Sequence, residues 1–86
     1  DMALFVDGVE VAAFLRKREE KSFRVSLRSR GKVPVNRIAG QFGGGGHPRA
    51  AGFCLHGELE EVRRQVLEAL EEAICKDGRE DVQGCN

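Results

Sequence analysis

FRVSLRSR, residues 23–30, decides the fold. Phe23, Val25 and Leu27 alternate with Arg24, Ser26 and Arg28, the period of a strand with one side buried and the other wet. Upstream, VEVAAFLR (9–16) reads as a partner strand, and the charged KREEKS between the two suits an exposed hairpin turn. ALFV (3–6) is a further short apolar run that ends at the turn signal Asp7-Gly8.

Downstream, Gly31 and Lys32 close the strand and Val33-Pro34-Val35 is extended. Asn36 is placed to cap a short helix over 37–42, with Ile38, Ala39 and Phe42 on one side. After the glycine run 43–46, Pro48 suits the first position of a helical turn through Ala51, and 52–55 reads as another strand. The clearest helix is 58–75. Leu59, Val62, Val66, Leu70 and Ile74 recur at spacings of three and four, and Glu58, Glu60 and Glu61 suit the positive end of its dipole. The expected class is α+β: a small mixed sheet with a hairpin, packed against a long C-terminal helix and one or two short helices. Residues 1–76 form one domain, and 77–86 form a polar tail expected to be disordered.

A chain of 86 residues holds one modest core. It opens at Asp1, which reads as a piece of a longer protein. There is no signal-peptide pattern and no long apolar run, so a soluble, cytoplasmic protein with no membrane partner is expected. Three cysteines without a C-x-x-C argue against a disulfide scaffold. Cys54 and His56 would share a strand face, but no second ligand pair supports a zinc site, and Cys54 and Cys75 read as small buried hydrophobes.

The zero net charge hides a division. Residues 16–49 hold ten Lys or Arg against two Glu, a local charge of +8, whereas 58–86 hold nine acids against four bases. A confined basic region on an otherwise acidic chain is the footprint of a small anionic ligand, not of duplex DNA.

Two features carry candidate chemistry. Gly43-Gly44-Gly45-Gly46-His47 offers backbone N–H groups that can converge on an anion, a histidine donor, and a helix start beyond it. A flexible surface loop is the plainer alternative. Arg24, Ser26, Arg28 and Arg30 point one way from their strand, about 7 Å apart, and guanidinium groups grip phosphate bidentately. A solvated edge strand kept soluble by charge is the alternative there. Phe42 and Phe53 flank the glycines and suit base stacking or, more simply, core packing. No Asp/His cluster stands ready for a catalytic metal, so the chain is expected to bind its ligand without cleaving it, with no catalytic or metal-binding residue of its own.

FRVSLRSRG, VPVNRIAGQF and GGGGHPRAAGF, in this order, together resemble the C-terminal domain associated with DHH phosphoesterases. The resemblance covers residues 9–56, and the helix 58–75 is compatible with it. It is strongest to oligoribonucleases of the NrnA type, which also dephosphorylate 3′-phosphoadenosine 5′-phosphate. Cyclic-dinucleotide phosphodiesterases and RecJ-type single-strand exonucleases share the loop. The resemblance implies a two-domain hydrolase in which an N-terminal DHH domain of the same chain carries two manganese ions. The present domain would then bind a short oligonucleotide or nucleotide phosphate and hold no cofactor. It further implies that Arg28 and Ser29 belong to a substrate-gripping strand and that Gly44, Gly45, Gly46 and His47 contact phosphate or the scissile region, with His47 assisting turnover in the whole enzyme. Arg24 rests on the strand-face argument alone. Alternation puts Ser29 opposite Arg28, so for both to touch one ligand the strand must end or bulge near Gly31. An RNA-binding appendage, as in alanyl-tRNA synthetases, is the competing reading.

Overall fold

The computed structural model describes residues 2–6, 10–30 and 32–74. The Asp7-Gly8 turn signal, Gly31, Cys75, Cys85 and the 77–86 tail lie outside the described residues. Five strands, β1 (Met2–Val6), β2 (Val11–Glu19), β3 (Ser22–Ser29), β4 (Gly45–His47) and β5 (Ala50–His56), form one sheet in the order β1-β2-β3-β5-β4. Two helices, α1 (Val35–Gln41) and α2 (Leu59–Ala73), complete the α+β fold. Every strand pairing is antiparallel, so the mixed sheet narrows to an antiparallel one, and α2 runs 15 residues.

Alternation sorts the sheet into two faces. Val11, Ala13 and Leu15 of β2, Phe23, Val25 and Leu27 of β3 and Phe53 of β5 are buried on one side. There they join Val35, Ile38 and Ala39 of α1 and Val62, Val66, Leu70 and Ile74 at the end of the chain's helical stripe, in a single core. Leu59, the first residue of the stripe, stays exposed. Burying such a side chain contributes roughly 1.5–3 kcal/mol, which is why the stripe fixes α2 on the sheet. Among the described residues the opposite face carries no helix, and it presents Phe14, Arg16, Arg24 and Arg28 to solvent.

Three local expectations need correction. β2 continues through Arg18 and Glu19, so the hairpin turn shrinks to Glu20-Lys21, with Lys21 at φ 61° and a register shift between Lys17 and Glu19. Long charged side chains on an edge of the sheet remain hydrated while their backbone pairs, which hides a strand inside a charge run. Asn36 does not cap α1. Pro34 holds the cap position without a side-chain bond, and Asn36 Oδ1 is buried with no hydrogen-bond partner among the described residues. Pro48 opens no helix: Pro48-Arg49 is the turn of the β4–β5 hairpin, and β5 begins at Ala50. The carbonyls of that turn are needed elsewhere, since Pro48 O accepts from Val35 N–H at 2.8 Å and Arg49 O from Ser29 N–H at 3.0 Å.

Candidate functional site

The glycine run divides into two jobs. Gly43, at φ +85°, follows α1 in the left-handed conformation. Its N–H donates to Gly40 O at 3.1 Å, and Gly44 N–H donates to Ala39 O at 2.8 Å. These two bonds are the Schellman closure of a helix C-terminus. The first half of the run therefore satisfies α1 carbonyls, and the helix start expected to lend its dipole to the loop is absent, because a hairpin turn stands in its place. A Cβ at Gly44 would overlap Gly52 O and lie 2.6 Å from Phe53 Cβ, so the run crosses β5 at a distance only glycine permits. Phe42 and Phe53 stack beneath it with centroids 4.6 Å apart and an interplanar angle of 12°. Phe53 is buried and Phe42 packs against the core, which is the core use.

The second half is an edge strand. Gly45 pairs with Gly52, Gly46 with Ala51 and His47 with Ala50. Having a neighbour on one side only, β4 leaves alternate backbone N–H groups without a ladder partner. Gly45 is unobstructed: a Cβ there would meet nothing within 4 Å.

The pairing also places His47. Cross-strand partners share a face, so the chain of pairs His47–Ala50 and Ala50–Arg28 sets His47 and Arg28 in one row on the open face. Only the Ala50 methyl stands between them, and two strand spacings put them about 10 Å apart. Arg49 N–H donates to His47 Nδ1 at 3.2 Å. With Nδ1 as acceptor, Nε2 carries the proton of the neutral ring and serves as an outward donor. A guanidinium and an imidazole N–H on one face, either side of a small methyl, are donor types that an anion's oxygens accept from.

Arg24 lies two residues from Ser26 and four from Arg28 on the same face, as alternation requires. Arg30 falls beyond the end of β3. Ser29 keeps the alternation and is 7% exposed on the core side. Its N–H bond to Arg49 O ties the end of β3 to the turn that carries His47. The described register shift lies at Lys17–Glu19, at the other end of the β2–β3 hairpin.

Residues 1–76 match the family model described as the DHHA1 domain. The chain belongs to the DHHA1 family. Over 75 residues this DHHA1 domain is 48% identical to the bifunctional oligoribonuclease and PAP phosphatase NrnA of Thermus thermophilus, covering 86% of the chain and 23% of that protein. The solved structure of an exopolyphosphatase-related protein from Bacteroides fragilis matches with a TM-score of 0.68 and 41% identity, over 78% of the chain and 20% of that structure. The chain thus spans about a quarter of the length of the curated relative.

Three residues of the DHHA1 domain join this face without having been singled out from sequence. Phe14, 42% exposed, and Arg16 line an open depression of about 550 Å3 with Arg24, Ser26 and Arg28. Arg18, inside the run read as a solubilising turn, donates from Nη1 to Cys54 Sγ at 3.4 Å. Arg18 and Arg24 together hold the Cys54 thiol below its ordinary pKa. Extending the period-two pattern of 11–15 to Phe14 and Arg16 would have found the first two. Arg18 lies two residues further on, where the register shift falls. Among the described residues no group of three or more His, Cys, Asp or Glu could hold a metal ion. No helix of the described residues is long and apolar enough to cross a membrane.

Proposed function

We propose that this DHHA1 domain is the substrate-binding part of a two-domain DHH phosphoesterase that hydrolyses short oligonucleotides or nucleotide phosphates. The reading is carried by the row Arg28–Ala50–His47 on the open sheet face beside the glycine edge strand. The similarity to a bifunctional oligoribonuclease and PAP phosphatase supports the substrate class. In this reading Arg28 grips a phosphate through its guanidinium fork, His47 donates from Nε2, and Gly45 and Gly46 let the ligand approach the backbone. Gly44 supports the loop through its bond to Ala39, and Ser29 serves by anchoring the turn. Arg24 extends the basic face. The two manganese ions and the hydrolytic step belong to the N-terminal DHH domain, and this domain presents the scissile phosphate to it.

Titration of the 86-residue chain with a fluorescent dinucleotide and with 3′-phosphoadenosine 5′-phosphate tests the proposal. Binding that weakens with salt is expected, without hydrolysis, and Arg28→Ala should lower affinity tenfold or more. Equal binding by the wild type and the Arg28→Ala/His47→Ala variant would sink the assignment.

A further inference from the structure

A second cationic cluster lies on the open face, away from the Arg28–His47 row. Arg16 and Arg24 are direct cross-strand partners, and Arg24 in turn faces Cys54. Arg18 reaches from the register shift to the same thiol. Gly52 makes room for the arrangement: a Cβ there would lie 2.9 Å from Arg24 Nη2. Among the described residues no carboxylate pairs with Arg16, Arg18 or Arg24. Like charges set directly opposite each other on a sheet are destabilising, and a bound anion would offset that repulsion.

Two repeats of alternation separate Arg24 from Arg28, about 13 Å along β3. One phosphate cannot span that distance. Between them lie Ser26 and the Phe14 ring, over a floor left bare by Gly52 and Gly45, and the depression running past Phe14 joins both ends. A cation at each end and an exposed aromatic ring between them match a phosphate–base–phosphate stretch.

We infer that Arg16, Arg18 and Arg24 form a second phosphate subsite and that Phe14 is a base-stacking platform, so that the face holds a single-stranded oligonucleotide along β3 and favours longer ligands over dinucleotides. The inference rests on the reading of the Arg28–His47 row as a phosphate site, and it adds a length dependence that the row alone does not require. A polyphosphate chain shares the anion chemistry but has no base for Phe14.

The experiment compares a fluorescent dinucleotide, a fluorescent pentanucleotide and a polyphosphate competitor on the 86-residue chain. Wild type should bind the pentanucleotide at least tenfold tighter than the dinucleotide. Arg16→Ala/Arg18→Ala should erase that gain, leave dinucleotide affinity within twofold, and flatten the salt slope for the pentanucleotide by about 1.4. Phe14→Ala should weaken the pentanucleotide fivefold or more and leave polyphosphate competition unchanged. A wild type with no length preference, or a double variant that loses both ligands equally, overturns the second subsite. Phe14→Ala with unaltered pentanucleotide binding overturns the base platform. A wild type that binds neither oligonucleotide overturns the phosphate-site reading beneath it.

Discussion

Arg28 on β3 and His47 on β4 face the same side of the sheet because Ala50 of β5 is the direct partner of both. Nineteen positions apart in the chain, they are neighbours across one methyl group. The turn holding His47 is fixed from two directions, by Val35 N–H on Pro48 O and by Ser29 N–H on Arg49 O. The site is therefore as rigid as the sheet end that carries it.

That geometry separates binding from stability. At about 10 Å, with the Ala50 methyl between them, Arg28→Ala and His47→Ala should have additive effects on unfolding free energy, within about 0.5 kcal/mol. In nucleotide binding, where one ligand bridges them, the same double-mutant cycle should give a coupling above that value. Urea denaturation and ligand titration on the four proteins of the cycle check both.

Neighbouring glycines should respond in opposite ways. A Cβ at Gly44 overlaps Gly52 O and Phe53 Cβ, so Gly44→Ala should cost about 2 kcal/mol or more of stability. Gly45→Ala meets no atom within 4 Å and should change stability by less than about 1 kcal/mol. If the ligand approaches the backbone at β4, Gly45→Ala lowers affinity with the fold intact, which thermal melts and titration distinguish.

Ser29 gives a complementary case. Its side chain is buried on the core face and its backbone holds the turn. Ser29→Ala should lower stability by about 1 kcal/mol while nucleotide affinity in the folded protein changes less than threefold. A larger loss of affinity would place the hydroxyl in direct contact with the ligand.

Cys54 supplies a pH-dependent signal. The hydrogen bond from Arg18, reinforced by Arg24, favours the thiolate and lowers the pKa against the opposing effect of burial. A lowered pKa fills the reactive thiolate at lower pH than an ordinary cysteine does. Iodoacetamide labelling followed at the Cys54 peptide should thus rise at lower pH in wild type than in Arg18→Ala. In linkage terms, the Arg18 contact stabilises the fold above the ordinary thiol pKa, and that contribution is lost as pH falls through the lowered value. Superimposable labelling profiles would show that the 3.4 Å contact does not act on the thiol in solution.

Periodicity made much of this molecule legible. The alternation of 23–30 and the three-and-four spacing of 59–74 each record, within a few residues, which side of an element meets water. Such patterns determine β3, α2, the α+β class and the outward direction of Arg24 and Arg28. The glycine run stood out for the same local reason, since glycine takes the φ of Gly43 most readily and alone fits the crossing at Gly44. Which glycine N–H groups remain free was decided elsewhere: two of them close α1, and the rest lie on an edge strand. The company of Arg28 depends on the order β3-β5-β4, and the Arg16–Arg24–Cys54 row on the β2–β3 and β3–β5 registers. Strand order and register are settled by pairing between distant segments under the demands of a shared core, and no local pattern encodes them. The sequence determined the two faces of the sheet; tertiary structure alone decided which side chains meet on the open one.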